Sequence, residues 1–167
     1  MLEVILDSLP VWGKNADAWQ ALADKAARAA INETPYGAIL SHEALFELSL
    51  KLADDAEVQG LNATYRNKDK PTNVLSFPML PPDFMEEADR DSDIEILIGD
   101  VIMAYETCER EAAEKGVSVE THATHLMVHG ILHLLGYDHE EGPEEAEEME
   151  ALETRALASL GIADPYA

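Results

Sequence analysis

His129-Gly130-Ile131-Leu132-His133-Leu134-Leu135-Gly136-Tyr137-Asp138-His139 is the stretch from which the rest of the chain is read. It holds three of the 6 histidines, spaced His-x3-His-x5-His. Residues four apart share one face of a helix, about one turn from each other, so both rings reach one ion. Gly136 predicts the end of that helix, because glycine alone takes the left-handed closing conformation without steric cost. A turn there brings His139 back beside the first pair and completes a three-nitrogen site. Three protein ligands leave a fourth position open, the arrangement of a catalytic zinc rather than a structural one. The spacing therefore predicts a metal-dependent hydrolase with its metal site at the end of a long helix. Imidazole also suits copper, nickel and iron, so zinc is an expectation from the hydrolytic donor set.

The elements around this stretch are read from caps and periodicity. Leu2 to Leu6 is a short strand, and a helix capped by Asn15 or Asp17 runs to about Asn32, with Trp19, Leu22, Ala26 and Ala29/Ala30 as its apolar stripe. Phe46 to Leu52 alternates strictly, as a half-buried strand does. Asp54 or Asp55 caps the next helix, and Val74 to Phe77 is a strand stopped by Pro78. Met79 to Asp93, with Pro81-Pro82 and many acids, predicts a mobile surface loop. Ile94 to Met103 is the most apolar strand, Tyr105 to Lys115 a helix ended by Gly116, and Ser118 caps the long histidine-bearing helix. Pro143 starts a last helix with Met149, Leu152, Ala156, Leu157 and Leu160 on one face. This order predicts an α+β fold, a small mixed sheet of about four strands packed against helices. At 167 residues one domain is expected over 1–167.

Composition narrows the function. With 47% hydrophobic residues the chain is globular, and no apolar run reaches the length of a membrane helix. The N-terminus, Met1 to Asp7, carries acids where a signal peptide needs a basic region, and the lone Cys108 fits a reducing compartment, so a cytoplasmic location is expected. The net charge of −23 argues against general polyanion binding, and no DNA partner is expected. The charge is unevenly spread. Asp83 to Glu95 carries seven acids against Arg90, and Glu140 to Glu153 carries eight glutamates without a base, which predicts a solvated helix face. Between Leu61 and Pro82 the one acid is Asp69, set against Arg66, Lys68 and Lys70, and this window is locally basic.

The histidine run is similar to the long zinc motif of metzincin proteases, His-Glu-x-x-His-x-x-Gly-x-x-His. Gly130 stands where their glutamate base would be, which argues against peptide hydrolysis. His125, four residues before His129, is the alternative ligand, or it orients a ligand from behind, as Asp138 also could. His122 and His42 lack supporting context and are expected at the surface.

Read as HGILHLLGYDH, the run resembles the signature of the YbeY family of bacterial rRNA-maturation endoribonucleases. Leu61-Asn62, Tyr65-Arg66, Lys68-Asp69 and Pro71 to Pro78 resemble a second family block, and Ile98 to Ile102 a third. The resemblance covers most of the chain from about Phe46 to Gly161. It implies that His129, His133 and His139 bind the metal and that Arg66 matches a functionally important arginine. Asn73 departs from the usual aspartate, which puts any charge-dependent role there in doubt. The resemblance further implies single-strand-specific RNA cleavage, 16S rRNA 3′-end maturation, late-stage 70S ribosome quality control, and an α+β fold.

Residue chemistry agrees with that implication at Arg66, since a guanidinium holds a phosphate bidentately. Arg66 is the expected catalytic residue, steadying developing negative charge, while Arg66, Lys68 and Lys70 bind RNA and one zinc ion polarises the phosphate or activates water. The nucleophile is left open between water and the RNA 2′-hydroxyl. Expected partners are single-stranded RNA, ribosomal RNA, and ribosomal subunits or basic ribosomal proteins that suit an acidic surface. The rival readings are a metal hydrolase acting on another substrate and a non-catalytic zinc-containing ribosome assembly factor. Cleavage of casein with RNA left intact would favour the first. Normal ribosome maturation in Arg66→Ala and His133→Ala strains would favour the second.

Overall fold

Strict alternation in the second strand fixes which face of the sheet is covered. The computed structural model describes residues 1–167. Its strands are β1 (Leu2–Ser8), β2 (Leu45–Ala53), β3 (Val74–Pro78) and β4 (Glu95–Ala104), in the spatial order β1-β2-β4-β3. β1 and β4 run parallel to β2, and β3 pairs antiparallel with β4, so the sheet is mixed as expected. On β2, Phe46, Leu48, Leu50 and Leu52 all turn into the main core.

On β4 the inward set changes phase, from Ile96 and Ile98 to Val101 and Met103, because the register shifts opposite Glu47/Leu48. One extra residue in a strand reverses the facing of everything after it. Gly99 accommodates this bulge at φ +144°, where a Cβ would collide with the Phe77 carbonyl oxygen and lie 2.9 Å from Leu134 Cδ2.

Six α-helices and two short 3-10 turns (Pro10–Trp12 and Gly37–Leu40) complete the chain, the α-helices being α1 (Ala16–Asn32), α2 (Asp55–Arg66), α3 (Phe84–Arg90), α4 (Tyr105–Lys115), α5 (Val119–Leu134) and α6 (Pro143–Ser159). The Asn15, Asp54 and Ser118 side chains accept amide hydrogen bonds from the first turns of α1, α2 and α5, satisfying donors that a helix start otherwise leaves open. α5 is buried on almost every side, packed among α1, α4, α6, β3 and β4. A helix covered on most sides lies inside the fold, and α5 is the axis on which the site is built.

The structure corrects one element. Residues 79–93, expected as a mobile surface loop, contain α3. Phe84 and Ala88 are four apart and both buried, and Phe84 packs against Tyr36 and Phe46 with ring centroids 5.3 and 6.3 Å away. Two apolar anchors in a helical phase outweigh the surrounding acids and prolines.

Candidate metal centre

α5 presents His129 and His133 one turn apart, with ring centroids 4.7 Å from each other. The helix then closes at Gly136, whose φ is +100°. The Gly136 amide donates to the His133 carbonyl and the Tyr137 amide to the Leu132 carbonyl, each at 3.1 Å. This paired closure satisfies the last carbonyls and reverses the chain. His139 consequently returns to the pair, its ring 5.2 Å from those of both His129 and His133.

One nitrogen from each ring lies within 4.8 Å of the others, a group able to hold a metal ion. Nε2 of His129 and Nε2 of His133 are 3.2 Å apart. Two ligands at tetrahedral angles and ordinary zinc–nitrogen distances are separated by about 3.3 Å, so the donor set fits such an ion. His133 is also kept neutral: burial, then the neighbouring His129 and His139 charges, push its pKa down to about 4. A neutral imidazole is the form that ligates.

His125 is not in this group. Its Nε2 lies 3.3 Å from Glu153 Oε1, behind the centre. Glu153 corrects the expectation of a wholly solvated glutamate face on α6. It is 0% exposed, set among Met149, Leu152, Ala156 and Leu157, and its Oε1 is 2.6 Å from His129 Nδ1. Burial opposes ionisation of this carboxyl, but hydrogen bonds from His125, His129 and Tyr166 prevail and hold its pKa down to about 2. The signal that could have found it is positional, since an acid stands there on the apolar stripe of α6.

His122 and His42, expected at the surface, are not fully exposed. His122 is 3% exposed and its Nε2 lies 2.8 Å from Glu111 Oε1, and burial lowers its pKa. His42 is mostly covered, with Nε2 2.8 Å from Asp89 Oδ1. Asn73 donates to the same Glu111 carboxylate at 3.0 Å, and Asp138 accepts the Glu140 amide at 2.9 Å within the loop before α6.

Arg66 is the last residue of α2, and Asn67 follows in the left-handed conformation at φ 56°. The buried Asn62 then staples the basic turn. Its carbonyl accepts the Lys68 amide at 3.2 Å and its side-chain amide donates to the Lys70 carbonyl at 2.9 Å. Gln59 engages the one acid of the window, Asp69, at 3.1 Å. The result is a cleft of about 690 Å³ whose lining includes both Arg66, Lys68 and Lys70 and His129, His133 and His139. Asp138, Glu140, Glu150, Glu153 and Tyr166 line it as well.

A mixed sheet packed on helices, with three histidines converging at the end of the central one, defines a single-centre metal-binding α+β protein. The family model described as Endoribonuclease YbeY matches residues 13–161. The chain belongs to the YbeY family. It is 55% identical over 167 residues to the endoribonuclease YbeY of Rhizorhabdus wittichii, covering 100% of this chain and 98% of the relative. It is 58% identical to that of Novosphingobium aromaticivorans, covering 100% and 96%. Among solved structures, that of a Thermotoga maritima protein superimposes with a TM-score of 0.54 at 22% identity, over 96% of this chain and 92% of the other, a likeness of fold. No helix is long and apolar enough to cross a membrane.

Proposed function

We propose that this chain is a zinc-dependent endoribonuclease that cleaves single-stranded RNA, acting on the 3′ end of 16S rRNA and in late-stage 70S ribosome quality control. Family membership and the histidine cluster support metal-dependent nuclease activity in rRNA processing. The observation that carries the finer reading is the shared cleft, in which the three histidines and the basic turn line one space.

His129, His133 and His139 would hold the ion. When bound, it supplies positive charge to a phosphate oxygen and lowers the pKa of water to about 7. Arg66 offers two parallel N–H donors to the same phosphate and steadies charge that develops as the bond breaks. Lys68 and Lys70 attract the neighbouring backbone phosphates. Ribosomal subunits and basic ribosomal proteins are the partners that the acidic remainder of the surface suits.

Gly130 supports a substrate other than peptide. A Cβ there would stand 2.8 Å from Val101 Cγ1 and 3.2 Å from Ser76 Oγ, so the position faces the sheet and has no room for a protease carboxylate.

Arg66→Ala tests the assignment. Arg66 is exposed at a helix end, so its loss should leave folding and metal content unchanged. Cleavage of single-stranded RNA should fall by about 100-fold or more, the usual cost of one transition-state donor. Undiminished cleavage by this variant would overturn the role of Arg66. Hydrolysis of casein by protein that leaves RNA intact would overturn the substrate.

A further inference from the structure

Glu153 gathers two hydrogen bonds and one ion-pair contact around a buried carboxylate, and one of these partners comes from beyond the last helix. Its Oε1 lies 2.6 Å from His129 Nδ1 and 3.3 Å from His125 Nε2. Its Oε2 accepts the Tyr166 hydroxyl at 2.7 Å. Tyr166 is placed there by a turn, in which Asp164 Oδ1 accepts the Tyr166 amide at 2.8 Å and the Thr154 hydroxyl of α6 at 3.3 Å.

Oε2 already accepts the Tyr166 hydroxyl, and a carboxyl offers far more acceptor sites than donors, so the geometry assigns the proton between Glu153 and His129 to Nδ1. That assignment leaves Nε2 of His129 with its lone pair, facing His133 Nε2 at 3.2 Å. A group needed only for packing would be apolar, as its neighbours Met149, Leu152, Ala156 and Leu157 are, because burying a charge carries a desolvation cost that apolar residues avoid.

We propose that Glu153, held by Tyr166 of the C-terminal segment, is a positioning residue that fixes the tautomer and ring orientation of His129 and thereby sets the affinity of the centre for its divalent ion. The proposal rests on the reading of His129 as a ligand. It makes the C-terminal segment part of the metal centre. Tyr166 also lines the cleft, so the residue that steadies Glu153 from behind forms part of the wall that an RNA strand would meet.

The test is the affinity for Zn²⁺ and Co²⁺, measured by chelator competition on the full chain and on Glu153→Gln, Tyr166→Phe and His133→Ala, with the visible spectrum of the Co²⁺ forms. Glutamine keeps an acceptor but loses the charge, so Glu153→Gln should weaken binding by about 10- to 100-fold and shift the Co²⁺ bands. Tyr166→Phe should weaken it less, by several-fold, and should shift the bands in the same direction. A Glu153→Gln variant that does not fold leaves the decision to Tyr166→Phe, whose lost hydroxyl reaches His129 through Glu153. Unchanged affinity and spectrum in the folded variants would overturn the relay if His133→Ala still abolishes binding. Parental affinity in His133→Ala would instead overturn the metal-centre reading beneath it.

Discussion

Cys108 shows how burial governs the chemistry of a single side chain. It is fully buried on α4, and desolvation, with Glu111, Glu120 and Glu109 adding to it, pushes the thiol from 9.0 up to about 12. The reactive form of cysteine is the thiolate, so the folded chain should resist iodoacetamide and react once unfolded. Because the folded pKa lies above the unfolded one, this contribution to stability is complete below pH 9.0 and is lost as pH rises toward about 12. Mass spectrometry of alkylated native and unfolded protein checks it. Rapid labelling of the native form would contradict it. At this scale the sequence was readable where spacing alone carried the meaning, as it did for His129, His133 and His139. Glu153 and His122 were not, because their roles depend on partners from other elements, Glu153 reaching α5 from α6 and His122 reaching α4.

Among the elements, Gly130 and Gly60 make opposite forecasts from the same substitution. Both lie within helices, where alanine is favoured by about 1 kcal/mol over glycine. A methyl at Gly60 would meet nothing within 4 Å, so Gly60→Ala should stabilise by about that amount. At Gly130 a methyl would press on the buried Val101, and about 1–3 kcal/mol of overpacking should leave Gly130→Ala less stable than the parent. Urea unfolding of the two variants reads both signs, and a raised midpoint for Gly130→Ala would contradict the close approach of α5 to the sheet. Most element ends were readable because local chemistry sets them: Asn15, Asp54 and Ser118 cap helices, and Gly116 and Gly136 close them. α3 was hidden because its two anchors, Phe84 and Ala88, lie among acids and beside a proline pair. The phase change in β4 was hidden because a bulge is defined by the partner strand.

Over the whole molecule, charge and cleft must be considered together. A net charge of −23 repels RNA at a distance, while Arg66, Lys68 and Lys70 bring positive charge to the cleft that the histidines also line. Such a surface suits recognition at one place rather than binding along its length. The local basic window was visible in the sequence, but its convergence with the histidines was not, because it depends on how α2 and α5 lie against the sheet. The central claim is that RNA cleavage occurs at a metal held by the three histidines. Metal analysis of the purified parent and of His133→Ala, paired with a single-stranded RNA cleavage assay on both, tests it most directly. Zinc and cleavage are expected in the parent, with loss of both in His133→Ala; cleavage that survives in the metal-free variant would contradict the claim.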